Sequence, residues 1–323
     1  MIKDTDYAYA VARLKANENK LLTSSDIEAL ISCRTLRQCF ELLSAKGWSV
    51  SEESTVAQIL SRQNKELWVL LCESVPDKSV LNVLTVLNDY FNLKAAVKAS
   101  LTASDPERLF VYPTSVDLDL LKEAVKMREF SRLGDEKGNA AEEAYKTALT
   151  SGSGQAADII LDKAALDCLV RLSDESKSEL VKETARLICT FADIRTAYRS
   201  AKTKKSESFL DKALSDGGAL ERKTLIEKSL KGEKELIAYL EKTEFHKAAQ
   251  LIEKSTTEFE KYCDDAVLEN AKKAKYMFLG FEPVMAFYYA KQAELKTVRI
   301  LLGAKQNGLS DNALRERVRA LYV

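Results

Sequence analysis

Apolar residues recur along this chain at spacings of three, four and seven, the periodicity of helices that bury one stripe. Tyr7, Val11, Leu14 and Leu21 share such a face and predict a first helix over 7–22. Ser25-Asp26-Ile27-Glu28 has the form of a capping box, so a second helix is expected to begin there and to end before Leu36. The stripe Leu36, Phe40, Leu43 then runs into Lys46-Gly47-Trp48. Gly47 suits a left-handed helix end that Trp48 would cover. Alternating β-branched runs are missing, and the expected fold class is all-α.

Breaks fall at Pro76-Asp77, Asp105-Pro106, Tyr112-Pro113, Gly134 to Gly138, Ser151-Gly152-Ser153-Gly154 and Asp216-Gly217-Gly218. Between them lies a repeat: Asn92-Leu93-Lys94, Asp193-Ile194-Arg195 and Glu294-Leu295-Lys296 are 101 residues apart in both steps. Ala95-Ala96, Thr196-Ala197 and Thr297-Val298 follow, and Leu87, Ile188 and Tyr289 lie six positions before the central aliphatic residue. Each copy reads as one long helix with an equivalent buried face. The polar and basic members of a triplet do not face each other on a helix, so they are expected to flank the buried aliphatic residue as part of a packing element. A weaker echo places Phe40, Leu43 and Trp48 against Ile237, Leu240 and Phe245, 197 residues later. A period this long predicts whole repeated domains rather than a solenoid. They are expected at 1–104, 105–205 and 206–323, three similar helical bodies in a pseudo-threefold arrangement.

Composition narrows the function. Only 11 Gly and 4 Pro occur in 323 residues, which few turns require. Lys plus Arg and Asp plus Glu both total 49, so the broad positive field of a nucleic-acid binder is missing and no DNA or RNA partner is expected. The longest apolar runs, Leu67 to Cys72 and Val284 to Ala290, fall far below the roughly 18 residues of a spanning helix. The start, Met1-Ile2-Lys3-Asp4-Thr5-Asp6, lacks the pattern of a secretory signal, and a cytosolic protein is expected. The six cysteines, at 33, 39, 72, 168, 189 and 263, include no C-x-x-C and are read as core residues.

Candidate chemistry is sparse. His246, the one histidine, is read as a surface or helix-end residue, and Ser151–Gly154 as a link between helices, since it lacks the Gly-Lys-Ser/Thr ending of a phosphate loop. Lys202, Lys204 and Lys205 read as a solvated helix end. The adjacent acids Glu52-Glu53, Glu142-Glu143 and Asp264-Asp265 point to different azimuths of a helix rather than to one substrate. No catalytic, cofactor-binding or metal-ligating residue is assigned.

Toward the C-terminus, Gly280-Phe281-Glu282-Pro283-Val284-Met285-Ala286-Phe287-Tyr288-Tyr289-Ala290-Lys291 precedes Glu294-Leu295-Lys296 and Val298-Arg299-Ile300-Leu301-Leu302. Gly303 to Leu309, Leu314-Arg315-Glu316-Arg317-Val318-Arg319 and Tyr322-Val323 complete the segment. It resembles the C-terminal signature of the C-subunit family of V-type ATPases, whose eukaryotic member is the d subunit. Tyr7 to Ala16, Leu21-Leu22 and Phe40 to Trp48 are similar to that family's opening. The middle copy departs from the pattern, with Ala192 where the first copy has Phe91 and a basic stretch from Arg195 to Lys205. Physically the signature is a helix opened by Glu282-Pro283 and closed by Asn307-Gly308, with Ser310 capping a last helix. Val284, Tyr288, Leu295, Val298 and Leu302 form its core-facing stripe.

The resemblance implies a funnel of three similar domains without a catalytic site or cofactor. It implies one copy per complex on the cytoplasmic side of the membrane, seated on the proteolipid rotor ring. It also implies that the funnel receives shaft subunits of the D and F type and couples ATP hydrolysis or synthesis to proton or sodium transport. Arg315, Arg317, Arg319, Arg299 and Glu282 are the candidate partner contacts. Composition and periodicity alone allow a second reading, a cytosolic helical adaptor unrelated to rotary ATPases.

Overall fold

The computed structural model describes residues 3–51, 54–102 and 104–323, and within them it contains sixteen α-helices and no strand. The chain divides into two compact units. One comprises Met1–Val80, Ser178–Thr184 and Gln250–Val323, the other Leu81–Lys177 and Ala185–Ala249. In chain order the first unit opens with α1 (Ala8–Glu18), α2 (Ser24–Ser32), α3 (Leu36–Ala45) and α4 (Val56–Ser74). The second holds α5 (Asn82–Thr102), α6 (Leu118–Met127), α7 (Asp135–Ser151) and α8 (Gly154–Glu175). It also takes most of α9 (Glu179–Lys202), then α10 (Glu207–Ala213), α11 (Arg222–Lys231), α12 (Glu233–Leu240) and the start of α13 (His246–Lys254). The first unit resumes through α14 (Thr256–Ala271), α15 (Glu282–Gln306) and α16 (Asp311–Arg317).

Three local expectations are corrected. The first helix is shorter than 7–22: a 3-10 turn over Asp4–Tyr7 leads into α1, which stops at Glu18, although Tyr7, Val11, Leu14 and Leu21 are all buried as the stripe required. The capping box of α2 is formed two residues earlier than Ser25 and Glu28. The Asp26 amide donates to Thr23 Oγ1 (3.3 Å) and the Thr23 amide donates to Asp26 Oδ2 (2.9 Å), so Thr23 is the N-cap. Gly138, expected in a break, lies inside α7, while the end signals of α3, α15 and α16 act as expected. Gly47 (φ +84°) and Gly308 (φ +66°) sit just past α3 and α15 in the left-handed region that spares a Cβ clash. Pro283 opens α15, and the Ser310 hydroxyl caps α16. Glu52 and Glu53 lie outside the described residues.

In the first unit the C-terminal helix supplies the core. Leu295, Val298, Leu301 and Leu302 of α15 pack against Leu22, Ile27, Leu30, Ile31, Leu43, Trp48 and Ile59, all essentially without solvent contact. Burying one such aliphatic side chain contributes roughly 1.5–3 kcal/mol, so this seam is the main tie between residues near 30 and residues near 300. In the second unit α8 lies against α5 and α7. The contact is close because α7 presents Ala140, Ala141, Ala144 and Ala148 inward. Phe191 meets Phe245 edge to face, with ring centroids 6.0 Å apart. Among the described residues no helix is long and apolar enough to cross a membrane.

Candidate functional site

The repeated triplets sit in α5, α9 and α15, and their central residues Leu93, Ile194 and Leu295 are buried. The equivalence does not extend to the position six residues earlier, where Leu87 is exposed. The polar first member does more than flank the core: Asn92, Asp193 and Glu294 are themselves buried, at 0, 3 and 2 % exposure. A polar group taken from water must find partners. Each of the three finds them in a loop that leads into a short helix.

Asn92 faces the Val111 peptide: the Val111 amide donates to Asn92 Oδ1 (2.7 Å) and Asn92 Nδ2 donates to the Val111 carbonyl (3.0 Å). Asp193 accepts from the Ser215 amide (3.0 Å) and hydroxyl (2.9 Å). Glu294 accepts from the Leu22 amide (2.6 Å) and pairs with Lys291, whose ammonium lies 4.7 Å from the Trp48 ring centre. Val111 and Ser215 each stand seven residues before the following helix, α6 or α11, and Leu22 stands two before α2.

One turn earlier a similar relation links the first two copies, in residues whose types give no hint of it. Asp89 accepts from the Thr114 hydroxyl (2.6 Å) and the Ser115 amide (2.9 Å), and Thr190 Oγ1 accepts from the Ala219 amide (2.8 Å). At the third position Lys291 instead pairs with Glu294 of its own helix. An acid and a hydroxyl do not look like a repeat, which is why only the structure reveals it. The second loop can lie this close because it is glycine at its centre. A Cβ on Gly217 would stand 2.2 Å from Val170 Cγ2, and one on Gly218 would stand 3.2 Å from Asp193 Oδ2.

The basic third members are engaged as well. Lys94 pairs with Asp162 of α8 and Lys296 with Asp264 of α14, each at 2.5 Å. Asp264 also accepts from Arg319 Nε (2.9 Å), and Asp265 accepts from the Ala320 amide (2.7 Å). These two adjacent acids therefore hold successive residues of one tail segment.

Burial pushes the Asp193 carboxyl up to about 6; the Ser215 hydrogen bonds oppose the rise, Asp167 adds to it and Lys163 reduces it. Beside the second loop is a depression of about 630 Å3 lined by Asp167, Val170, Arg171, Asp174, Glu175, Asp216 and Gly217. Its central cation is already engaged, since Arg171 donates to Glu136 (2.7 Å) and Glu175 (2.6 Å). His246 is exposed at the first turn of α13.

The candidate contact residues occupy different settings. Arg317 and Arg299 are exposed. Arg315 is half-exposed and pairs with Glu28 at 3.1 Å. Arg319 is turned inward, its side chain 10 % exposed, onto Asp264. Glu282 accepts from the Ser178 hydroxyl (2.7 Å) in the first turn of α15. Helical rise separates it from Arg299 by roughly 25 Å, so the structure does not bring Glu282 and Arg299 together.

These features define an all-helical chain in which the buried polar side chains Asn92, Asp193 and Glu294 fix loops to long helices. The chain belongs to the ATP synthase (C/AC39) subunit family, whose model matches residues 10–317. Among curated proteins it is similar to the C subunit of the V-type sodium ATPase of Enterococcus hirae, with 24 % identity across 96 % of this chain and 97 % of that protein. It is also similar to the C subunits of the A-type ATP synthases of Desulfurococcus sp. and Haloquadratum walsbyi. Identity is 24 and 23 %, covering 97 and 95 % of this chain and 91 and 96 % of those proteins.

Proposed function

We propose that this chain is the non-catalytic central-stalk connector of a rotary ATPase. It is seated on the membrane proteolipid ring and receives the end of the shaft formed by the D- and F-type subunits. One copy per complex on the cytoplasmic side of the membrane passes rotation between shaft and ring, and so couples ATP hydrolysis or synthesis to proton or sodium transport. The observation that carries this reading is the family match over residues 10–317, continued by relatives aligned across nearly their whole length. The buried latches support it physically. A body that transmits torque must resist bending, and fully satisfied buried polar groups hold loops to long helices in one arrangement. Three bodies at 1–104, 105–205 and 206–323, arranged as a funnel about a pseudo-threefold axis, belong to the same proposal, with Arg299, Arg315, Arg317, Arg319 and Glu282 as contact candidates.

Reconstitution tests it. The purified chain should join both the isolated shaft subunits and the detergent-solubilised ring, and should hydrolyse no ATP alone. Failure to bind either partner overturns the reading.

A further inference from the structure

The end of the 3-10 turn Lys272–Tyr276 and the segment that follows it toward α15 present four consecutive apolar residues to solvent. Tyr276, Met277, Phe278 and Leu279 are exposed by 79, 38, 73 and 44 %. Single exposed apolar side chains are ordinary on protein surfaces, but a contiguous run marks an interaction surface. This run is also held in place. The Lys275 carbonyl accepts from Lys15 Nζ (2.5 Å), the Met277 amide donates to the Ala274 carbonyl (3.0 Å) and the Gly280 amide donates to the Asp4 carbonyl (3.2 Å). Immediately beyond, Phe281 is buried against Tyr7 with ring centroids 6.0 Å apart. A loop pinned at both ends has already lost much of the freedom that binding would otherwise remove.

We propose that Tyr276–Leu279 is a docking wedge that places Tyr276 and Phe278 in an apolar groove between helix ends of a membrane-anchored partner protein. This rests on the connector reading above and names the segment that meets the ring. The charges beside the loop favour a protein over a lipid surface. Lys272 pairs with Glu269 (2.6 Å), Lys273 pairs with Glu183 (2.7 Å), and the exposed acids Asp4 and Asp6 stand at the other end. An anionic headgroup layer would meet no surplus of positive charge. The backbone agrees: among the described hydrogen bonds the Phe278 and Leu279 amides have no acceptor. In hydrocarbon an unsatisfied amide is strongly disfavoured, whereas the last turn of a helix offers carbonyls that lack partners. A groove lined by aliphatic side chains at helix C-terminal ends therefore supplies both halves of the recognition.

The test uses the full chain carrying Tyr276→Ser with Phe278→Ser, both at exposed positions where folding should be retained. We expect at least tenfold weaker binding to the solubilised ring, with shaft binding unchanged. If the double variant binds the ring as the parent does, the wedge is overturned while the connector reading stands. If the parent itself does not bind the ring, the connector reading falls, and the wedge with it. Binding of the parent to protein-free vesicles, or self-association of the parent, that the double variant loses would overturn the proposal in favour of lipid or of a second copy. A folding-independent arm replaces Phe278 with benzoylphenylalanine and irradiates the assembled complex. A covalent adduct with the ring protein is expected, and an adduct with a shaft subunit overturns the proposal.

Discussion

The buried carboxylate of Glu294 accepts a hydrogen bond from the backbone amide of Leu22, 272 residues away in sequence. Glu294→Ala would leave that amide and the Lys291 ammonium without their acceptor, an expected loss of about 3 kcal/mol. Glu294→Gln keeps an acceptor for Leu22 and should lose about half as much. Urea denaturation gives the ranking, and hydrogen exchange at the Leu22 amide should quicken in the alanine variant alone.

Asp193 makes the corresponding latch in the second unit with the opposite pH behaviour to an ordinary ion-paired carboxylate. Its folded-state value, raised by burial to about 6, lies above that of the unfolded chain. Its contribution is therefore fully present below about pH 4 and lost as pH rises through 6. A carboxyl raised this far makes ionisation of Asp193 cost about 3 kcal/mol at neutral pH. Asp193→Asn, the residue type found at position 92, should match or exceed the parent's stability at pH 7.5. The parent should gain on the variant by about 2–3 kcal/mol as pH falls from 7 to 4, read from paired denaturation curves. A difference that is flat across that range would contradict this account.

Gly280 has φ +86°, and a Cβ there would stand 2.4 Å from Glu282 Oε2. The carboxylate can swing away, but the backbone angle cannot relax while the amide stays bonded to Asp4. Gly280→Ala should lower stability by about 1–3 kcal/mol, visible as a lower melting temperature.

Arg317 and Arg319 are two residues apart and should behave differently. Arg319→Ala removes the bond to Asp264 and should cost about 1–2 kcal/mol, with faster exchange over 318–323. Arg317→Ala, at an exposed position, should stay within about 0.5 kcal/mol of the parent. Any effect of Arg317→Ala or Arg299→Ala on complex assembly would then be one of contact and not of folding.

The apolar rhythm carries the helical class and the position of the triplets, because burial of a stripe is a local property that spacing records, and Gly47, Pro283, Gly308 and Ser310 mark their own helix ends. Details fixed by distant residues are not legible in this way. Both Thr23 and Ser25 stand three residues before an acid, and local rules cannot choose between them. Glu294 holds Leu22 and so leaves Thr23 at the helix start. The likeness of Asp89 and Thr190 is equally hidden, since what they share is a bond to a loop, one turn before the buried polar residue, and not a chemical type.

The first unit gathers Met1–Val80, Ser178–Thr184 and Gln250–Val323. During synthesis, then, α2 to α4 leave the ribosome about 200 residues before α15, the helix that covers their apolar faces. Domains generally fold as units as they emerge. The second unit, complete by Ala249, should therefore resist protease on stalled nascent chains while residues 1–80 are still cleavable. Those early helices are the stretch most in need of a chaperone until the last helices arrive.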